Sequence, residues 1–202
     1  MKTGVLGGTF DPVHLGHLKA AEAATAAVGL SETIFLPAGQ PWLKAGSSFT
    51  PAVHRVAMLR LALAGRPGYR LSTMEIERPG PTYSVDTLAE LRRQMGAAAD
   101  LYFIMGWDSL EQLPRWREPS RLITQCRIVA VRRVDFPEPD LASLERAVPG
   151  LAAQVTVLHE PRIDINATMI RRLLAVGESI GGLVPEAVER YISEHGLYRP
   201  AV

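Results

Sequence analysis

Gly4–His17 reads GVLGGTFDPVHLGH. An apolar run, Gly4-Val5-Leu6, meets two glycines, an Asp11-Pro12 turn and two histidines three residues apart. Beyond His17 the pattern turns helical. Glycine at a strand-to-helix junction permits positive φ and close approach of the backbone to a ligand. A helix N-terminus adds unpaired N–H groups and the positive end of the helix dipole, which suits an anion. Residues three apart share one helical turn, so His14 and His17 can face the same ligand. Three readings of the junction are open. Gly7-Gly8 is a plain turn with incidental histidines; or His14 and His17 start a metal site, which needs Cys126 or Asp11 to complete it; or the junction cradles phosphate. The clustering of polar residues favours phosphate. The stretch is neither a P-loop, since no Gly-Lys-Ser/Thr follows, nor a Gly-x-Gly-x-x-Gly dinucleotide fingerprint.

Outward from this junction, short apolar runs alternate with helical patterns. The runs predict strands over Thr3–Leu6, Thr33–Leu36, Tyr69–Met74, Leu101–Met105, Arg127–Val131 and Val155–Leu158. Leu18, Ala21, Thr25 and Val28 form one stripe of a helix over Leu15–Val28. Thr50-Pro51 reads as an N-cap with proline at the first helical position, opening a helix that ends near Gly65. Helices are also expected over Ser84–Met95 with Gly96 as stop, near Ala167–Val176, and from Pro185 to His195. The alternation predicts an α/β fold, a doubly wound parallel sheet with helices on both faces. Such sheets bind ligands beyond the carboxyl ends of their strands, where strand order reverses. The 202 residues read as one domain, with a C-terminal helical part from about residue 166. Arg133–Pro139 reads as the flexible connection, and Pro37–Phe49, with Trp42 and Lys44, as a binding loop.

Composition narrows the function. Apolar residues are 47% of the chain, enough for a full core. A formal net charge of +1 argues against a broad nucleic-acid surface, though not against a small anionic ligand. The single cysteine, Cys126, cannot form an intrachain disulfide and reads as a buried small hydrophobe. Neither a secretory signal nor a membrane span is read in the sequence, and the expectation is a soluble, cytoplasmic protein.

GGTFDPVHLGH, Gly7 to His17, resembles the nucleotidyltransferase signature with its His-x-Gly-His element. The longer form is similar to the bacterial nicotinate mononucleotide adenylyltransferases in particular. Other segments agree: PAGQPWLK (Pro37–Lys44), RPGPTYSVDTL (Arg78–Leu88), LYFIMGWDSLEQLPRW (Leu101–Trp116), INATMIRRLL (Ile165–Leu174) and LVPEAVERYISEHGLY (Leu183–Tyr198). Departures are Trp42-Leu43 for Pro-His, Asn166-Ala167 for two serines, and Arg132-Arg133-Val134 for Arg-Pro-Gly.

The resemblance implies transfer of AMP from ATP to nicotinate mononucleotide, with release of pyrophosphate. The attacking group is then a phosphate oxygen, already anionic, so no general base is required. Donors and cations that align two polyanions suffice. His14, His17 and Arg171 are the implied catalytic residues. Gly7, Gly8, Thr9, Phe10, Asn166 and Thr168 join them around ATP. Lys44, Ser84, Asp108, Trp116 and Arg117 are implied at the acceptor. Mg²⁺ would ride on phosphate oxygens, with no dedicated protein site. Read from sequence alone, each retains a plainer alternative: Lys44 as a solvated loop lysine, Asp108 as N-cap of a helix Ser109–Leu113, Trp116 as packing, Asn166 as a cap. Rival functions are an enzyme using another phosphate acceptor and a nucleotide-binding module without turnover.

Overall fold

The computed structural model describes residues 1–41, 49–96 and 98–199. In chain order the first half contains β1 (Lys2–Gly8), α1 (Leu15–Val28), β2 (Glu32–Pro37), β3 (Gln40–Pro41), α2 (Ala52–Leu63), β4 (Tyr69–Leu71), α3 (Met74–Glu77), β5 (Pro81–Thr82) and α4 (Ser84–Met95). The second half contains β6 (Asp100–Gly106), α5 (Trp107–Gln112), α6 (Pro119–Ile123), β7 (Arg127–Arg133), α7 (Leu141–Ala147), β8 (Val155–Ile163), α8 (Ala167–Ala175) and α9 (Glu186–Glu194). The six longer strands form one parallel sheet in the order β4-β2-β1-β6-β7-β8. β3 and β5 pair separately.

Strand alternation explains why both faces are covered. Leu6, Phe35, Ile104 and Val129 point to one face and pack with Leu18 and Ala21 of α1, Met58 and Leu59 of α2, Ile170 of α8 and Val188 of α9. Val5, Ile34, Phe103 and Ile128 point to the other, against Val85 and Leu88 of α4, Trp107 of α5 and Leu122 of α6. Cys126 lies in that second layer, 5% exposed, and burial pushes its thiol up to about 12. No helix among the described residues is long and apolar enough to cross a membrane.

The chain winds outward from β1 to β2 and β4, then returns to the opposite side of β1 as β6. Strand order therefore reverses between β1 and β6. The ends of these two strands, Gly8 and Gly106, flank a crevice that neither crossover covers.

Several local expectations shift. The run Tyr69–Met74 is a strand only to Leu71, because β4 is an edge strand paired over three residues. After the Ser72 N–H reaches Phe35 O at 3.0 Å, the chain leaves the ladder and Met74 opens α3. Pro51, not Thr50, occupies the cap of α2. The Thr50 N–H instead donates to Asp11 Oδ2 at 3.3 Å, and its carbonyl accepts from Arg55 Nε at 3.0 Å. Gly106 caps α5, and Asp108 sits inside its first turn, so Asp108 is not the N-cap of a helix starting at Ser109. Asn166 does cap α8, its Oδ1 accepting from Met169 N at 2.8 Å.

Arg55 binds the loops above the sheet together. It is 3% exposed, and its Nη1 donates to Thr9 O and Ala38 O, each at 2.9 Å. With the bond to Thr50 it joins the turn after β1, the turn after β2 and the start of α2. We predict that Arg55→Met, which keeps the volume but leaves three carbonyls without their donor, lowers the unfolding free energy by about 3 kcal/mol or more in urea denaturation.

Candidate active site

The crevice opens into a cavity of about 860 Å³ above the strand ends. Gly7, Gly8, Thr9 and Phe10 line it from the turn after β1, and His14 and His17 from the start of α1. Asp108, Trp116 and Ser84 line it beyond β6 and α4. Asn166, Thr168 and Arg171 line it from the start of α8. Two expected residues are not in this set. Arg117 is exposed, its guanidinium 4.5 Å from the centre of the Tyr83 ring and 3.5 Å from Glu118. Lys44, with Trp42, lies outside the described residues.

The histidine pair is built into the helix end. His14 is the N-cap of α1, with extended backbone, and His17 is the third helical residue. The His14 N–H donates to His17 Nδ1 at 3.2 Å, so a neutral His17 carries its proton on Nε2. The two rings lie 3.7 Å apart between centroids. Phe10 packs 4.7 Å from His17 and adopts φ of 51°, a left-handed conformation that a bulky residue holds only when its surroundings enforce it.

His14 is 3% exposed, and burial, with Arg133 nearby, pushes it down to about 3. It is therefore a neutral donor at neutral pH, not a resident cation. Its ring lies against Gly16, where an added Cβ would stand 2.9 Å from His14 Nδ1 and 2.9 Å from Ile163 Cγ2. Glycine is thus required between the two histidines by close packing.

Arg171 spans from α8 to the turn after β1. Its Nη1 donates to Asp11 O at 2.7 Å and its Nη2 to Thr168 Oγ1 at 3.4 Å. Trp116 stands edge-on to Phe103 at 6.0 Å, forming an aromatic wall beside Ser84 and Asp108. The cavity therefore has two lobes across the β1/β6 reversal. One is polar, around Arg133, Asp164, Asn166 and Arg171; the other is aromatic, around Phe103 and Trp116 with Glu75, Thr82 and Ser84.

The sequence-level reading missed several wall residues. Glu75 is 8% exposed, and burial raises its carboxyl while the Thr87 hydroxyl, at 2.7 Å, partly offsets this. Arg133 and Phe136 line the cavity from the segment read as a mere connection. Their only signal was the length of that segment and its one aromatic residue. Cys126 does not line the cavity, and no three His, Cys, Asp or Glu side chains among the described residues group as a metal set.

Comparison with known proteins gives the geometry its family. The cytidylyltransferase-like family model matches residues 5–173. A "Probable nicotinate-nucleotide adenylyltransferase" of Dehalococcoides mccartyi is 46% identical over 198 residues, covering 98% of this chain and 97% of the relative. The chain belongs to the cytidylyltransferase-like family, and to the nicotinate-nucleotide adenylyltransferases within it. A relative in Thermomicrobium roseum bearing the same name is also 46% identical, over 98% of this chain and 92% of its own. Among solved structures, nicotinic acid mononucleotide adenylyltransferase of Plasmodium falciparum complexed with NaAD shares the fold. Its TM-score is 0.76 at 17% identity, over 98% of this chain and 97% of that one.

Family membership makes the neutral His14 testable. Unfolded, its imidazole titrates near 6.5; folded, it titrates near about 3. Between those values the unfolded chain binds the extra proton, so stability is full above the upper value and is lost as pH falls through the window. We predict that denaturant-derived stability, followed from about pH 7.5 down to about 5, falls by up to ~1.4 kcal/mol per pH unit from this group. In His14→Gln that component is gone.

Proposed function

We propose that the protein transfers AMP from ATP to nicotinate mononucleotide, giving nicotinate adenine dinucleotide and pyrophosphate, a step of NAD biosynthesis. One observation carries the reading: the His14–His17 pair stands at the helix end facing the β1/β6 crevice, in a chain related over nearly its full length to nicotinate-nucleotide adenylyltransferases.

The chemistry asks little beyond alignment. An oxygen of the mononucleotide phosphate forms a bond to the α-phosphorus of ATP. The bond from that phosphorus to the bridging oxygen breaks, and its electron pair leaves with pyrophosphate. Nothing has to be deprotonated, and charge grows on the α-phosphate oxygens and on the leaving group. His17, with its proton held on Nε2, is assigned to the α-phosphate. His14 and the N–H groups of the Gly7–Phe10 turn support the same triphosphate. Thr168, Arg171 and the open start of α8 take its distal phosphates. Asn166 contributes mainly as the cap of that helix.

The aromatic lobe suits the nicotinate ring. Trp116 packs on it, N–H groups near Ser84 and Arg117 take its carboxylate, and Asp108 takes ribose hydroxyls. The Arg117 guanidinium, engaged with Tyr83 and Glu118, is not needed for this. Lys44 is assigned to the phosphate of the mononucleotide. The phosphate lobe offers imidazole, guanidinium and hydroxyl groups. Asp11, Asp135 and Asp164 also line the cavity, but among the described residues no three His, Cys, Asp or Glu side chains group as a metal set, so the lobe fits an ion held mainly by phosphate oxygens and water. Mg²⁺ arriving with ATP would neutralise charge on the triphosphate, with the Thr168 hydroxyl at hand. The lone, buried Cys126 fits a reducing, cytoplasmic setting.

Two outcomes test the reading. His17→Ala is expected to lower kcat about 100-fold or more, with substrate KM values much less affected, because the lost donor acts on charge that develops during transfer. In a panel of acceptors with ATP and Mg²⁺, nicotinate mononucleotide is expected to exceed the nicotinamide form in kcat/KM by about tenfold or more. An amide turns an NH₂ toward a donor that a carboxylate would satisfy. Equal values would place the protein among enzymes of dual specificity, and no pyrophosphate with any acceptor would end the assignment.

A further inference from the structure

Asp11, in the turn between the glycines and His14, gathers contacts from three distant parts of the chain. Its Oδ2 accepts from Thr50 N at 3.3 Å. Its backbone carbonyl accepts from Arg171 Nη1 at 2.7 Å. Its Oδ1 accepts from the Tyr198 hydroxyl at 2.7 Å. Tyr198 lies past the end of α9, 187 residues away from Asp11.

We infer that Tyr198 is a positioning residue of the nucleotide site, acting through Asp11 on the placement of Arg171. The inference rests on the reading that the turn after β1 and the start of α8 hold ATP.

Three observations carry it. The Tyr198 hydroxyl meets a carboxylate that is 5% exposed, so the bond is a short one to an anion shielded from water. Tyr198 itself holds φ of 65°, a left-handed backbone that a bulky aromatic residue keeps only under firm constraint. The contact is also cooperative with its neighbours. The Thr50 side chain hydrogen-bonds to the same hydroxyl, and Thr50 is held by Arg55, which also grips the Thr9 carbonyl. Burial pushes the Tyr198 hydroxyl up, so it stays protonated and donates.

The consequence is mechanical. Asp11 is fixed at both ends, by its side chain to Tyr198 and Thr50 and by its carbonyl to Arg171. Without the hydroxyl, the Asp11 side chain loses its strongest partner and the peptide that receives Arg171 is freer to rotate. Arg171 then has a looser anchor from which to meet the triphosphate. A residue that merely filled space would affect unfolding and leave nucleotide affinity alone, since the Phe ring occupies the same volume as Tyr without its oxygen.

The experiment is a cycle of Tyr198→Phe, Arg171→Ala and the double variant in the full chain, with ATP titrated calorimetrically without acceptor and turnover measured with both substrates. Tyr198→Phe is expected to weaken ATP binding and raise the ATP KM about fivefold or more, leaving the acceptor KM within about twofold. In the Arg171→Ala background the same change should cost less than about twofold, because the residue through which it acts is gone. Unchanged ATP affinity in Tyr198→Phe, or losses that simply multiply in the double variant, would overturn the inference. If Tyr198→Phe does not fold, Asp11→Asn carries the same comparison, since it keeps the backbone carbonyl while discharging the acceptor of the hydroxyl. The ATP titration needs no acceptor, so a wrong acceptor assignment would show in turnover of the unmodified protein and leave this test intact.

Discussion

The turn between β1 and α1 has no regular structure of its own, and the site depends on its shape. It is held by hydrogen-bond donors reaching in from elsewhere, two of them guanidiniums. Arg55 takes the Thr9 carbonyl, Arg171 takes the Asp11 carbonyl, and the Asp11 carboxylate takes Thr50 and Tyr198. Arg55 and Arg171 sit in helices, Tyr198 packs against the apolar layer, and Thr50 is held by Arg55. A buried carboxylate between two guanidiniums also moderates the positive charge that the site would otherwise carry without ligand. The strained Phe10 backbone survives because everything around it is fixed.

A site for joining two polyanions faces an electrostatic problem before it faces a chemical one. Phosphates repel one another, and the protein must offset that repulsion without binding one nucleotide so tightly that it cannot leave. Neutral imidazoles suit this better than permanent cations. They donate hydrogen bonds whose strength grows as charge develops on the phosphates. Burial keeps His14 neutral, and the N–H of His14 fixes the proton of His17 on its far nitrogen. The guanidiniums of Arg171 and Arg133 line the cavity together with the carboxyl groups of Asp11, Asp108, Asp135 and Asp164. The aromatic lobe presents the Phe103 and Trp116 rings.

Much of this was legible beforehand, and the reasons are local. Leu15–Val28 and Ser84–Met95 have the predicted bounds because their periodicity and glycine stops are properties of the segments themselves. The six strand positions follow from apolar runs, though β4 ended early, since an edge strand stops where its neighbour stops supporting it. The short helices α3, α6 and α7 carry too few turns to show a period. Phe136 and Arg133 were hidden for another reason: a cavity wall made by a loop leaves no repeat in the sequence.

What the sequence by itself determined was the alternation of strands and helices, the doubly wound class and the glycine–histidine junction. Those are set by side-chain periodicity and by the backbone demands of individual glycines, which act within a few residues. The tertiary structure decided which distant groups meet there. Strand order, with its reversal between β1 and β6, brings Arg171 and Tyr198 to Asp11 across separations of 160 and 187 residues. It also turns Arg117 outward onto Tyr83 and buries His14 deeply enough to discharge it. Contact and desolvation are properties of the folded arrangement, and no stretch of sequence read alone contains them.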